Sequence, residues 1–420
     1  ARVLGPTEAL AVIVGSVIGS GISRVPARVA QNVPSVGPIL LAWVLGGLFS
    51  LAGALTLAEL GAMLPHAGGP YVYLKEAFGP AIGFLFGWTE FLVIRAGSVA
   101  TLAAAFARNL AKVWPAPAGL DPRVWQTIGA VAAMVIVALI NVAGTKKSSR
   151  VQVIGTGLKV GGLALMIVAP FLLGKVNAAN LEPAWPAAFG RDAFAGFMVA
   201  MVGVLWAYDG WVNASSMAEE IRDPGRNVPL ALTLPQMIAV ARQPDGVVAA
   251  EFCTALIGPI GGILIALAIM GSTLITLNGN SLTGPRAYFA MARDGHFPRA
   301  LCRIHPQFHT PSNAILAQAV WAIALTVMGS LLIVLPPPAT GRLPEPVLRA
   351  WQTLNTTPLY DMLYTYVIFG GTVIYTLTIC SVFVLRWRHP EWPRPYRTWG
   401  YPVTPLVYLV GACILMSSML

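Results

Sequence analysis

The chain has 420 residues, of which 56% are hydrophobic and only 10% charged, and its mean hydropathy is +0.70. A soluble domain carries about 25% charged residues, so there is too little charge here to coat a water-facing surface. The net charge of +10 fits the cation-rich cytoplasmic loops of a membrane protein, which sets nucleic acid aside as a partner and leaves the lipid bilayer.

A helix that crosses a bilayer needs about 20 apolar residues. Runs of that kind begin with Leu4–Ala30, Pro38–Leu64, Ala81–Leu110, Trp125–Val142, Gln152–Leu173 and Phe194–Met217. Ile257–Thr283, Ala314–Leu335, Leu363–Leu385 and Val403–Leu420 follow. The abundant Gly and Pro lie inside these runs, where neighbouring helices can satisfy the freed backbone groups. No cleavable signal peptide is evident, since the first run continues into the fold.

Loop cations set the orientation. Lys146, Lys147 and Arg150 follow the fourth run, Arg222 and Arg226 the sixth, Arg286, Arg293, Arg299 and Arg303 the seventh, and Arg386, Arg388, Arg394 and Arg397 the ninth. Cytoplasmic placement of these loops puts the N-terminus inside the cell. The loops after Met217 and around Arg293 then need an even number of spans between them, yet only one clean run intervenes. The stretch Leu230–Cys253, with Pro235, Arg242, Pro244, Asp245 and Glu251, is not expected to cross as one helix. One span is therefore expected to be absent near the junction of Leu234 and Pro235, as a segment missing from the sequence or as a genuine deletion. A twelfth span is expected beyond Leu420.

Two runs are interrupted at matching places. The first holds Gly15-Ser16-Val17-Ile18-Gly19-Ser20-Gly21 at mid-membrane, a poor helix interior because each Gly costs about 1 kcal/mol against Ala. The sixth holds Trp206-Ala207-Tyr208-Asp209-Gly210-Trp211, a carboxylate and a Gly among aromatic rings. Five spans separate the two, and a repeat of five inverts its topology. Paired broken segments in inverted halves point to a transporter binding site. A half-helix N-terminus offers N–H groups to a carboxylate, and a half-helix C-terminus offers carbonyls to an ammonium. An amino acid carries both groups. The expected division is residues 1–173 and 194–385 as the two halves and 403–420 as an eleventh span.

Single residues add chemistry. Lys159 lies inside the fifth run, where an ammonium is costly and by default functional; it is about seven residues from Gln152, too deep to reach the interface easily. Asp209 reads either as a selectivity carboxylate for a basic side chain or as a cap on the broken helix. Glu90 and Arg95, five apart, are less favourably spaced for direct pairing than i,i+4 and read as structural or vestibule charges. Glu59, Glu219 and Glu220 end spans near loop cations and form a candidate inner-gate network. Arg293 joins them as a gating candidate, although Arg293-Asp294-Gly295 reads first as a turn. Trp114, Trp387, Trp392 and Trp399 lie near span ends as interfacial residues. Cys253, Cys302, Cys380 and Cys413 show no metal spacing and read as free thiols. No HExxH, GxSxG or Walker A motif is present, so neither an enzyme, a cofactor, a metal nor ATP-driven pumping is expected.

The motifs resemble the amino acid–polyamine–organocation family, and within it the L-type amino-acid transporter branch, through nearly the whole chain. The glycine-rich break matches as GSVIGSGI, with Ser23 where the family usually has Phe. AELGAMLPHAGGPYVYLKEAFGP (Ala58 to Pro80) and IRAGS (Ile94 to Ser98) are similar to the second and third span regions. LWAYDGW with AEEIRDPGRNVP (Leu205 to Pro229) is the most specific match, and GPRAYFAMARDGHFP (Gly284 to Pro298) and RPYRTWGYPVTP (Arg394 to Pro405) resemble later cytoplasmic signatures.

The resemblance implies an all-α polytopic membrane protein of the LeuT type, a 5+5 inverted repeat with discontinuous helices 1 and 6. It implies a substrate carboxylate on the amides around Ser20 and Gly21, and an α-ammonium near the carbonyls of Ile18 and of Trp206 to Asp209. The substrate-binding set is thus Ile18, Gly19, Ser20, Gly21, Trp206, Ala207, Tyr208 and Asp209, with Trp206 as an aromatic gate. A Lys at position 159 faces the first break where sodium-coupled relatives hold an ion, so Lys159 reads as a built-in sodium substitute. LWAYDGW resembles light chains that take basic and neutral amino acids and cystine. The eukaryotic relatives bind an accessory chain through a Cys between the third and fourth spans, and the loop Arg108–Arg123 has none, so no disulfide-linked partner is expected. The expected function is sodium-independent amino-acid exchange or proton-coupled transport in a bacterial inner membrane. A polyamine or organocation transporter, a non-transporting sensor subunit and an ion channel are the competing readings; the channel lacks a carbonyl filter motif.

Overall fold

The computed structural model describes residues 4–19, 21–33, 35–174, 182–186, 190–241, 258–334 and 359–419. Among them there is no β-strand; an isolated bridge joins Leu4 to Ile221. Eight helical stretches are long and apolar enough to cross a membrane, and two shorter apolar helices, Pro6–Val17 and Val403–Ser418, join them. These ten match the ten apolar runs in order.

The first run is divided into α1 (Pro6–Val17) and α2 (Gly21–Asn32). Then come α3 (Val36–Met63), the short α4 (Pro70–Phe78), α5 (Pro80–Thr89), a π-helical segment Glu90–Arg95 and α6 (Ala96–Val113). α7 (Pro122–Val142) and α8 (Thr145–Leu172) follow. The sixth run is divided into α9 (Arg191–Tyr208) and the single turn α10 (Asn213–Ser216), followed by α11 (Pro224–Ala241). The rest is α12 (Pro259–Thr283), α13 (Pro285–Arg293), α14 (Ser312–Val334), α15 (Leu359–Arg388) and α16 (Val403–Met419).

Proline punctuates this order. Pro opens α1, α4, α5, α7, α11, α12 and α13, where its missing N–H would be unsatisfied anyway and its fixed φ suits the first turn. At α7 the cap is complete, because the Asp121 carboxylate also accepts from the Arg123 amide at 2.6 Å. α4 and α13 were not visible as apolar runs because they are short and carry charges.

Early and late helices pack on each other. α2 packs on α9, α3 on α11, α6 on α12 and α7 on α14. The partners follow one another in the same chain order on both sides. Close approach depends on small residues. A Cβ on Gly46 of α3 would come within 2.5 Å of Val204 Cγ1 on α9, and one on Gly61 within 2.7 Å of Val228 Cγ1 on α11.

Two differences from the sequence reading stand out. Pro235 sits inside α11, an 18-residue helix running through the Leu234–Pro235 junction; that helix is not among the membrane-length apolar ones. Arg242, Pro244, Asp245, Glu251 and Cys253 lie outside the described residues. Secondly, Glu90 and Arg95 pair directly. The segment between them is π-helical, and i→i+5 geometry aligns residues five apart, so the α-helical spacing rule does not apply. Among the interfacial Trp residues, Trp114, Trp387 and Trp399 are largely exposed, while Trp392 stacks on His389 at 4.2 Å.

Candidate substrate site between the two helix breaks

α1 stops at Val17 because the next residues leave the helix: Ile18 turns to φ −77°, ψ 74° and Gly19 donates to the Val17 carbonyl at 2.9 Å. The break therefore begins three residues later than the start of the glycine-rich motif, since Gly15 and Ser16 remain helical. α9 stops at Tyr208, and Asp209 is its C-cap, extended at φ −63°, ψ 150°. Asp209 thus ends a helix rather than capping a start, at the end where the backbone is negative and a carboxylate gains nothing from the dipole.

The two breaks touch. Gly210 adopts φ +117°, and a Cβ there would lie 2.9 Å from Ser16 Cβ, 3.1 Å from Ser16 C and 3.2 Å from Val17 N. Only glycine fits both the backbone angle and the gap. Between the breaks lies a cavity lined by Ser16, Val17, Gly19, Trp206, Asp209 and Gly210, and closed by Ser98 and Leu102 of α6 and Thr276 and Asn280 of α12. Its volume of about 20 Å³ holds roughly one water molecule. An amino acid enters only if the lining helices part.

The expected binding set is only partly gathered here. Gly19, Trp206 and Asp209 line the cavity. Ala207 is buried, and Tyr208 turns away, its ring edge-on to Trp43 and its hydroxyl donating to the Trp43 carbonyl at 3.2 Å. Gly21 opens α2, the half-helix whose N-terminus carries free N–H groups. Ser20 lies outside the described residues. Asp209 also borders a second, mostly apolar cavity with Phe49, Trp211, Tyr375 and Tyr408, where the Tyr375 hydroxyl approaches its Oδ1 at 3.4 Å.

Lys159 reaches the end of α1. Its Nζ donates to the carbonyls of Gly15 and Ile18 and to Thr276 Oγ1, each at 2.7 Å. Thr276 Oγ1 donates in turn to Gly15 O at 3.0 Å, and Ser272 Oγ to Ile18 O at 3.3 Å. The last-turn carbonyls of a helix have no partner of their own and carry negative potential, which an ammonium satisfies twice over, by hydrogen bond and by charge. The Ile18 carbonyl, expected to meet substrate, is thus engaged by Lys159 and Ser272, with Thr276 Oγ1 at 3.4 Å as well.

Beside the cavity is a node formed by Glu90 and Arg95, two residues expected as structural or vestibule charges. Arg95 Nε and Nη2 donate to Glu90 Oε1 at 2.9 and 2.6 Å, and Arg95 Nη1 donates to Asn213 Oδ1 at 2.8 Å and Asn280 Oδ1 at 2.6 Å. Both members of the ion pair are buried. A Cβ on Gly284 would strike Arg95 Cγ at 2.5 Å, so the start of α13 is cleared for this side chain. The i,i+5 spacing of two opposite charges is the signal for this node in the sequence, since residues five apart align on a π-helical segment.

At the basic end of the bundle the acidic candidates find cations. Glu59 accepts from Arg386 at 2.6 and 2.8 Å and from the Thr398 amide at 2.7 Å. Glu220 accepts from Arg286 Nε at 2.9 Å, and Glu219 accepts from the Ala67 amide at 2.9 Å with Arg293 at 3.6 Å. Asp294, read as a turn residue, also links elements: it accepts from Tyr71 at 2.9 Å and Lys75 at 2.8 Å, both on α4. Burial works to raise the Asp294 pKa, but the Lys75 and Tyr71 hydrogen bonds outweigh it and hold the carboxyl below its usual value. Burial likewise opposes the Lys75 charge, and Asp294 outweighs it, so Lys75 is raised. Among the described residues no group of three or more His, Cys, Asp or Glu gathers to hold a metal.

The family model described as "Amino acid permease" matches residues 4–241 and 233–419. The chain is 30% identical over 437 residues to the serine/threonine exchanger SteT of Bacillus subtilis, covering 99% of this chain and 91% of that protein. It is 30% identical over 432 residues to the large neutral amino acids transporter small subunit 2 of Mus musculus, covering 97% and 74%. To the b(0,+)-type amino acid transporter 1 of Homo sapiens it is 29% identical over 413 residues, covering 94% and 78%. Near-complete coverage, the all-helical bundle and the two touching breaks agree: this chain belongs to the amino acid permease family, in the L-type-like branch of the amino acid–polyamine–organocation group.

Proposed function

We propose that this multi-pass membrane protein is a sodium-independent secondary transporter of amino acids that works by alternating access, by exchange or with proton coupling. The observation that carries the reading is the Lys159 ammonium on the Gly15 and Ile18 carbonyls. Those carbonyls are the cation-binding end of a broken helix, and a fixed positive charge already stands there. A free sodium ion at the same carbonyls would meet a like charge at contact distance, so sodium dependence is not expected.

The substrate carboxylate is assigned to the N-terminus of α2 around Ser20 and Gly21, and the substrate ammonium to the carbonyl end of α9 at Trp206 to Asp209. Trp206, on the cavity wall, is the gate over the bound molecule. Asp209 gives the site one carboxylate for a basic side chain. A polyamine needs anionic partners at both ends, and Asp209 is the one acidic residue among those lining the cavity, which favours an amino acid. Glu219, Glu220 and Arg293 are assigned to an inner gate; the cations around them support a cytoplasmic location for that end and for the N-terminus, in a bacterial inner membrane as the Bacillus relative suggests. The 114–121 connection between α6 and α7 contains no Cys, which supports a chain without a disulfide-linked partner there.

One span is read as absent near the Leu234–Pro235 junction, and two comparisons support that reading. The family model matches two stretches that overlap around that junction, and the alignment to the Bacillus exchanger runs over more positions than this chain has residues.

Uptake of labelled serine, leucine and lysine into proteoliposomes tests the function. The expected result is saturable, stereoselective uptake that is unchanged when choline replaces sodium, with lysine uptake lost and serine uptake kept in Asp209→Asn. Uptake that collapses without sodium overturns the assignment of Lys159.

A further inference from the structure

α8 crosses the bundle with two unlike faces. Ile154, Leu158 and Leu165 point outward, 67%, 73% and 67% exposed. Ser148, Gln152, Thr156 and Lys159 recur every three or four residues, the spacing of one helical face, and all four are buried where α8 packs on α1 and α12.

No described residue offers Lys159 a counter-charge across this seam. α1 carries only Glu8, near its start and bonded to the Gly5 amide. α12 has no ionisable residue, α7 has only Arg123 in its first turn, and the other charges of α8 are Lys146, Lys147 and Arg150 near its start. The polar groups continue instead toward that basic end. Thr156 Oγ1 donates to Ala11 O at 3.0 Å. Gln152 Oε1 accepts from Asn278 Nδ2 at 2.9 Å, and Asn278 Oδ1 accepts from Ser148 Oγ and Asn141 Nδ2, both at 3.0 Å. Thr145 accepts from Arg286, which holds Glu220, a carboxylate that reaches the surface.

Gln152 is the anomaly. It is fully buried, yet its Nε2 makes no hydrogen bond, and Ser149 Oγ beside it makes none either. A Cβ on Gly15 would come within 2.4 Å of Gln152 Nε2, and one on Gly279 within 3.2 Å. The unused donor therefore lies against the residue whose carbonyl holds the Lys159 ammonium. A buried donor left unpaired is destabilising, so interhelical packing alone does not account for it.

We propose that this seam is the route by which the Lys159 proton leaves for the basic end of the bundle. The route rests on the proton-coupled form of the function proposed above, with Lys159 as the group that carries the proton. When α1 parts from α8 and α12, water enters between Gly15 and Gln152. An ammonium N–H bond breaks, the nitrogen keeps the electron pair as a neutral amine, and the proton passes to that water. Gln152, Asn278 and Ser148 hold the water chain in line without carrying the proton themselves.

Two activities separate the route from packing: uptake of labelled serine driven by a pH gradient, and serine–serine exchange at equal pH, both in proteoliposomes. In Gln152→Leu, and independently in Ser148→Ala, gradient-driven uptake is expected to fall about tenfold or more while exchange stays within about twofold. Lys159→Ala is expected to abolish the gradient response itself. Parallel loss of both activities in Gln152→Leu and Ser148→Ala means interhelical packing and overturns the route. Retention of both overturns it as well. A wild-type protein indifferent to the gradient removes the coupling role of Lys159 and the route together, whereas a wild-type response that survives in the seam variants removes the route alone.

Discussion

At the scale of residues, the site is decided by backbone as much as by side chains. Gly210 lets the two breaks meet, with a Cβ there 2.9 Å from Ser16 Cβ at a φ of +117°. Overpacking of this kind costs about 1–3 kcal/mol, and it falls on the element that has to move. Gly210→Ala is expected to lower the serine uptake rate at least about tenfold while the protein still reaches the membrane. Gly157→Ala is the control: nothing lies within 4 Å of a Cβ there, so uptake is expected unchanged and the helix gains up to about 1 kcal/mol. Lys159, Asp209 and Trp206 were legible in the sequence because a charge or a Gly–aromatic cluster inside an apolar run has no cheap explanation. The turning away of Tyr208 toward Trp43 was not legible, because it depends on which face of α9 meets α3, and motif spacing does not carry that information.

At the scale of elements, apolar run length located the ten apolar spans in chain order, but it missed the 18-residue α11 and carried the sixth run past the end of α9. The π-helical segment escaped. Its residues EFLVIR look like ordinary α-helix, and only the Glu90–Arg95 pair across five positions reveals the extra residue per turn. That pair ties the third span to Asn213 after the second break and to Asn280 of α12. Removing one partner of a buried ion pair costs about 3–5 kcal/mol, since the other charge is left uncompensated, whereas replacing both by apolar residues is often neutral. Glu90→Gln is therefore expected to lower the melting temperature in detergent clearly. The double variant Glu90→Leu with Arg95→Met is expected to recover most of that loss. A single variant as stable as wild type contradicts a buried pair.

At the scale of the whole molecule, the touching breaks and the Glu90–Arg95 pair lie together, while Glu59, Glu219, Glu220 and Asp294 meet their cations at the basic end. Asp294 and Lys75 bridge α4 and the end of α13 at the basic end. Asp294 has its pKa held below 3.8 and Lys75 has its raised above 10.5. The stabilisation from Asp294 is thus present above its ordinary value and is lost only as pH falls through its lowered pKa. That from Lys75 is present below its ordinary value and is lost as pH rises through its raised one. Between roughly pH 5 and 8, where histidine-like groups titrate, this pair keeps its charge and contributes no pH dependence. Asp294→Asn removes the charge from the contact between α4 and the end of α13 and is expected to shift the ratio of KM values measured from the two sides of the membrane, leaving the shape of the pH profile over that range unchanged. Lys159→Ala is expected to do the reverse and flatten the profile. Should Asp294→Asn flatten it instead, proton sensing belongs to the gate at the basic end and not to the ammonium at the end of α1.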